Sequence, residues 1–425
     1  MTPLTRRTFL ATTTAAAASL VTHRASRAAA AASDAVTIAI MGVNNRGSQL
    51  ATDLIKLPGV NIAYIADCDE HALAKGMKVA TSAGNQSPKA IKDFRHALDD
   101  KSVDALFCCA PNHWHAPATI LACAAGKHVY SEKPCSHTPA EGERMIAAAS
   151  ESKRNVQIGL QRRSNPHYVE AIAKLRDGLI GKLLYASSTY NNNRPSIGHG
   201  KQTDPPEWLD YDLWQGPAIA EPYRDNIIPY TWHNFWRWGN GELGNNGVHT
   251  IDVTRWALDV EYPTRVTCVG SKLRYDDDQQ TPDTCTVIWE FPGRGMSWDG
   301  NSWSPPVTND GGIAIEVRGE GGTLTIDDSG YKFYDLKRKV LAENKGHRSQ
   351  IEHLANFFDT IRGKAKLNCP VEEGHKSTLL AHLGNIAYRT GQTLEIDAKT
   401  GHIKNNPAAE ALWTCEYRDG WFPKA

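Results

Sequence analysis

The patterned part of the chain opens at residues 36–41 with VTIAIM, an unbroken run of apolar and β-branched residues. Such a run predicts a strand covered on both faces, as in a parallel sheet. Gly42-Val43-Asn44-Asn45-Arg46-Gly47 follows, then SQLATDLIKL with helical spacing, then a second apolar run, VNIAYIADCDE, ending on Asp67 and Asp69. The rhythm repeats. AIKDFRHALDD reads as helix or loop, VDALFCCA as strand, and PNHWHAPATILACAAG as loop and helix. KHVYSEKP reads as strand, TPAEGERMIAAASESK as a helix capped by Thr138, and NVQIGL as a further strand. Strands alternating with helices predict an α/β doubly wound parallel sheet, whose ligands sit at the carboxyl ends of the strands. Asn112, His113, His115, Glu132 and Lys133 fall at such ends.

Beyond residue 155 the pattern changes. KLLYASSTYNN, RVTCVGSKLRY, DTCTVIWEF, GIAIEVRGE and GTLTIDD are alternating or apolar runs bounded by Gly, Pro and Asp, hence strands. NNGVHTIDVTRWALD carries helical spacing at Val248, Ile251, Val253, Trp256 and Leu258. A chain of 425 residues calls for two domains. The expected boundaries are an export segment at 1–32, a nucleotide-binding domain at 33–155 and a second α/β domain at 156–425 with a C-terminal helix and tail.

Composition sharpens this in three ways. A 41% hydrophobic content excludes wholesale disorder, and zero formal net charge gives no support to a nucleic-acid or acidic-membrane partner. The N-terminus holds Arg6, Arg7, Arg24 and Arg27 and no acids; Thr5-Arg6-Arg7-Thr8-Phe9-Leu10 with the Ala-rich stretch behind it resembles a twin-arginine export signal. No later stretch is apolar for long enough to span a bilayer, so no membrane contact is expected once the signal is cleaved, and a periplasmic or extracytoplasmic location is. The nine cysteines are odd in number and lack a CxxC pair, so neither a disulfide framework nor a zinc site is expected. Twelve tryptophans, many of them between Trp208 and Trp303, suit either a packed core or a platform for a sugar ring.

The glycine run departs from GxGxxG at one place, where Asn44 holds the middle position. Asn tolerates a left-handed backbone better than other side chains do, so the turn is expected to survive. Asp67, twenty residues beyond Gly47, is placed to hold ribose hydroxyls and to repel a 2′-phosphate, which predicts NAD over NADP. Gly42, Asn44, Arg46, Gly47, Asp67, Asn112, His113, His115, Glu132 and Lys133 are the expected cofactor-binding residues. The HxH spacing of His113 and His115 brings no third ligand, and no metal is expected.

The glycine turn, Asp67, PNHWHAP and EKP occur in an order that resembles the glucose–fructose oxidoreductase/inositol dehydrogenase (Gfo/Idh/MocA) family, in its exported branch. QRRSNPHYVEAI, PPEWLDYDLWQGPA, WHNFWRWGNGELGNNGVHTIDVTRWAL and HLGNIAYRTGQTLEID extend the resemblance over nearly the whole chain after residue 33. It implies a C-terminal α/β domain with a large open mixed sheet, one face closing the active site and the other forming contacts of a homo-oligomer, a dimer or tetramer. It implies that Lys133 is the active-site lysine beside the nicotinamide, on a Lys133–Pro134 bond of cis or trans form. His249 resembles the histidine that dehydrogenase members pair with an aspartate four residues earlier. That place holds Asn245, which can neither accept a proton nor hold a histidine charged. His249 is left to bind or deprotonate a substrate hydroxyl by itself. Arg162, Arg163, Trp232, His233 and Asn245 are the expected substrate contacts, and His199 marks a loop over the site. The implied substrate is a carbohydrate or cyclitol. The implied activity is hydride transfer at a ring carbon, as a redox-neutral NAD-dependent glycosidase, as a simple dehydrogenase, or as a sugar–sugar oxidoreductase. A sugar-binding protein retaining NAD but no catalysis is the alternative that Asn245 motivates.

Overall fold

The computed structural model describes residues 34–84, 86–305 and 313–423; the expected export segment lies outside them. Strand β1 (Val36–Met41) lies at the centre of a six-stranded, all-parallel sheet. Its neighbours are β2 (Val60–Ala66) and β4 (Ala105–Cys108), with β3 (Lys89–Ile91), β5 (His128–Ser131) and β6 (Val156–Ile158) completing the order β3-β2-β1-β4-β5-β6. Ala39 and Met41 of β1 enter one hydrophobic cluster, and Val36, Ile38 and Ile40 another. Both faces are therefore covered, which is why the strand reads as a continuous apolar run. The covering helices include α1 (Arg46–Leu54), α2 (Glu70–Thr81), α3 (Asn112–Ala124) and α4 (Pro139–Ser152). Thr138 caps α4 as predicted, in a reciprocal capping box with Glu141.

Two local expectations are corrected. AIKDFRHALDD begins with edge strand β3 and holds only one helical turn, Arg95–Leu98, because the segment finishes the sheet beside β2. His113 and His115 lie within α3, not on a strand-end loop, since the helix begins directly after Pro111.

The chain then builds a ten-stranded sheet from β7 (Leu183–Asn191), β8 (Arg265–Ser271), β9 (Thr284–Phe291), β10 (Arg294–Asn301), β11 (Ile313–Gly319), β12 (Gly322–Asp327), β13 (Gly330–Asp335), β14 (Val340–Lys345), β15 (Leu394–Ile396) and β16 (Ile403–Lys404). The order is β14-β13-β12-β11-β7-β10-β9-β8-β15-β16, with β7 and β10 parallel and the other pairs antiparallel. One face packs on α6 (Val248–Leu258) and α8 (Val371–Thr390), which follow α5 (Pro166–Arg176) and α7 (Ile351–Ile361) in the helix count. Trp289 and Trp298 fill that core with Ile251, Leu380 and Leu383. The opposite face leaves Val269, Ile288 and Leu341 exposed.

The last helices return to the first sheet. Leu354, Phe357 and Phe358 of α7 pack with Phe107 and Tyr130, so the first core is completed from the far end of the chain. Between β7 and α6 an irregular stretch forms its own small core of Leu209, Tyr211, Trp214, Tyr223, Phe235 and Trp238. Much of the tryptophan cluster is thus structural.

Candidate active site

A cavity of about 660 Å³ runs from the glycine turn and Asp67 to Lys133 and His249. Gly42 makes the turn with φ +82°; a Cβ there would lie 2.7 Å from the Ala110 amide nitrogen. A Cβ on Gly47 would lie 2.1 Å from the Gly42 carbonyl oxygen, so α1 packs against the turn only as glycine. Asn44 lines the cavity, but it is not among the residues of positive φ; this turn needs no left-handed residue at its middle position. Asn45 caps α1 without a side-chain bond, which leaves first-turn N–H groups free for an anion. Asp67 accepts the Val43 N–H at 2.7 Å and the Asp69 N–H at 3.0 Å. Burial pushes its carboxyl up to about 6, against those hydrogen bonds, so it is an anion at neutral pH. These features fit a dinucleotide: Asp67 for the ribose, the α1 N-terminus and Lys75 for the pyrophosphate, and the Lys133 end for the nicotinamide. Gly42→Ala is expected to fold but to lose at least about tenfold in nucleotide affinity, because strain and the Ala110 contact both oppose it. Nucleotide content after gel filtration and heat release measures this.

A strap from the irregular stretch closes the Asp67 end. The Asp210 N–H donates to the Cys68 carbonyl at 3.0 Å, the Glu70 N–H to the Trp208 carbonyl at 3.0 Å, and Trp208 stacks on His71. Leu209, Leu213 and Trp214 line the cavity there.

At the other end Arg46 Nε donates to Glu132 Oε1 at 2.7 Å, tying the glycine turn to the strand end that carries Lys133. The Lys133–Pro134 peptide is cis. Lys133 Nζ donates to the Asn245 carbonyl oxygen at 2.6 Å and to Asn245 Oδ1 at 3.1 Å. Burial, with Arg46 and Arg194 nearby, pushes the ammonium down to about 8 against Glu132 and Glu242. Asn245 sits in a single π-helical turn, Leu243–Gly247, that leads into α6. His249 lines the cavity one turn further on. Burial, then Lys133, Arg162 and Arg348, push its imidazole far down, so it is neutral.

The remaining expected contacts divide. Trp232, Asn245, Asn112, His115 and Glu132 line the cavity with Lys133 and His249. His233 does not; it is buried behind Tyr230, with Nδ1 2.7 Å from the Tyr230 carbonyl oxygen. His113 turns away as well, Nε2 2.9 Å from the Trp214 carbonyl oxygen, and burial pushes it down to about 3. Arg162 and Arg163 are corrected as substrate contacts: neither lines the cavity, and each is held by a carboxylate, Asp328 at 3.0 Å and Asp252 at 2.8 Å. His199 pairs with Asp278 at 3.0 Å on the surface. Sequence reasoning missed Lys75, Trp214, Tyr230 and Arg348, which all line the cavity. Tyr230 stands two residues before the selected Trp232, which was its only signal; Arg348 had none.

Among the described residues, His137, Glu141 and Cys415 bring potential ligand atoms within 4.8 Å of one another, beside a second cavity of about 460 Å³. The Glu141 carboxylate is already engaged there by the His137 and Thr138 N–H groups and the Tyr417 hydroxyl.

Comparison with known proteins places these features in a family. Residues 36–160 match the model of an oxidoreductase family with an NAD-binding Rossmann fold, GFO_IDH_MocA. Residues 218–325 and 314–422 match two C-terminal domain models of the same family. A glycosyl hydrolase family 109 protein of Saccharopolyspora erythraea is 26% identical over 205 residues, 44% of this chain and 44% of that protein. The chain therefore spans less than half the length of that relative. The uncharacterized oxidoreductase YrbE of Bacillus subtilis is 27% identical over 375 residues, 85% of this chain and 97% of that one. Among solved structures, a levoglucosan dehydrogenase in complex with NADH and levoglucosan aligns with a TM-score of 0.67 at 17% identity, over 85% of this chain and 99% of that one. That likeness shows the shared fold: a parallel Rossmann sheet joined to a large mixed sheet. The glycine turn, the Asp67 strand end and Lys133 all lie within the stretch matched by the NAD-binding model, and the chain belongs to the Gfo/Idh/MocA family of NAD-binding oxidoreductases.

Proposed function

We propose that the protein is exported by the twin-arginine route and acts on a sugar or glycoside at a ring C–H, in a redox-neutral cycle in which its NAD is retained. The observation that carries the reading is the Lys133–Asn245 arrangement. A neutral lysine amine has two N–H bonds and one lone pair. Asn245 takes both N–H bonds, at 2.6 and 3.1 Å, so the lone pair is left for a substrate hydroxyl proton. Bound NAD supplies the hydride acceptor. Lys133 removes the hydroxyl proton, while the cavity walls hold the ring carbon in line and exclude water. Three further features support retention and recycling: the strap over the Asp67 end, the resemblance of the N-terminal sequence to a twin-arginine signal, and relatives named as family 109 glycosyl hydrolases. The open sheet face, with Val269, Ile288 and Leu341 exposed, is the proposed homo-oligomer contact.

The test uses the mature chain from residue 33, with its nucleotide content measured after denaturation. Aryl glycosides are supplied with and without added NAD. Aglycone release without net NADH is the expected result. Stoichiometric NADH with no aglycone means a simple sugar or cyclitol dehydrogenase. Bound nucleotide with neither NADH formation nor aglycone release means a sugar-binding protein that retains NAD without catalysis.

A further inference from the structure

We infer that the Tyr230 phenol is a proton donor to the substrate, set opposite Lys133 across the side chain of Asn245. The inference rests on the redox-neutral reading above. Tyr230 is 42% exposed, and it forms part of the wall of the cavity that holds Lys133 and His249. Its hydroxyl oxygen receives two N–H donors, Arg194 Nη2 at 3.3 Å and Asn245 Nδ2 at 3.5 Å. Neither can accept a proton in return. Among the described residues no acceptor takes the phenol's own hydrogen, so that hydrogen is free for a ligand in the cavity.

The surrounding groups fix this polarity. The Asn245 amide turns Oδ1 toward Lys133 and Nδ2 toward Tyr230; a flipped amide would take the acceptor away from the Lys133 N–H and make the phenol donate to Oδ1 instead. Arg194 lies over the Tyr230 ring, 5.5 Å from its centroid, and is itself anchored on Glu242. Although burial opposes it, His233, Arg194 and Asn246 hold the Glu242 carboxyl down at about 2, so the anchor stays charged. The His233 ring, 4.7 Å from that of Tyr230, backs the phenol.

An aspartate at position 245 would accept from both neighbours. Asparagine instead gives the site two distinct proton-handling groups, a base at Lys133 and a donor at Tyr230. The redox-neutral cycle needs both. Once the ring carbon next to C2 is a ketone, the C2 proton passes to the neutral His249. The C2–H electron pair becomes the C1–C2 double bond and the C1–O bond breaks. The departing oxygen keeps that bond pair and takes the Tyr230 proton. Water then adds: its hydroxyl bonds to C1, its proton returns to the tyrosinate, and C2 recovers its proton from His249.

The test compares wild type with Tyr230→Phe on two glycosides, one with an alkyl and one with a nitrophenyl leaving group. A poor leaving group needs the proton and a good one does not. The expected loss in kcat is about 100-fold for the alkyl glycoside and under about threefold for the nitrophenyl glycoside, with KM nearly unchanged. Reduction of the bound nucleotide, followed by its absorbance in a rapid-mixing experiment, stays at the wild-type rate. Equal losses on both glycosides, or none, would overturn the role of Tyr230 alone. A wild-type enzyme that reduces its nucleotide yet releases no aglycone would overturn the redox-neutral reading and this role with it.

Discussion

Replacing Lys133 with methionine is expected to lower kcat about a thousandfold, the range for loss of a positioned general base, while nucleotide content and KM stay within a few fold of wild type. The wild-type pH profile supplies the sign. Burial holds Lys133 down at about 8, so the amine is protonated in acid and free above that pH. For sugar oxidation kcat/KM should rise about tenfold per pH unit toward 8 and then level off. The Lys133→Met variant should lose this limb. Asn245→Asp gives the complementary result: a carboxylate 3.1 Å from Nζ favours the ammonium, so the limb moves up by about 1–3 pH units. A profile that keeps its limb in the methionine variant would remove Lys133 from the proton transfer.

Much of this was legible because it is local. VTIAIM, the glycine turn and Asp67 are separated by fixed distances along one strand–turn–helix–strand unit, and the hydrophobic period reports the two-faced burial of β1 directly. Thr138 and Glu141 announce the start of α4 for the same reason. Strand β10 was missed, because RGMSWDGN buries Met296 and Trp298 between small and polar residues and contains two glycines. Position 300 has no room for a larger residue: a Cβ there would lie 1.9 Å from the Trp298 ring. At the site, most residues on motif turns line the cavity, with His113 an exception, and the two arginines judged by charge do not. Arg162 and Arg163 look like free cations in the sequence, because their partners lie 166 and 89 residues away. Tyr230 is the reverse case. Its closeness to Trp232 is the only mark in its neighbourhood, and only the fold brings Asn245 and Arg194 to its hydroxyl.

The misread arginine carries the second large effect. Arg163 and Asp252 are 7% and 1% exposed, with Arg163 Nε 2.9 Å from Asp252 Oδ1. Ser377 Oγ also donates to Asp252 at 2.7 Å, and Arg163 reaches Glu373 at 3.2 Å. Arg255 joins through Glu373 and Ser377. The network therefore ties three segments together: the turn after β6, α6 with its His249, and α8. Asp252→Ala leaves a guanidinium in the interior with only the Glu373 carboxylate, which it shares with Arg255, and should cost about 3–5 kcal/mol in denaturant unfolding. That is a large part of the stability of an ordinary domain. The pair itself need not be favourable, since the desolvation of two ions offsets much of their attraction. Arg163→Met with Asp252→Leu should therefore recover most of the loss, leaving the double variant within about 1 kcal/mol of wild type. If the single variant cost under about 1 kcal/mol, solvent would have to reach the guanidinium, and the joint would be a wet one. If the double variant stayed as unstable as the single one, the hydrogen bond from Ser377, rather than the charge pair, would be what holds α6 to α8.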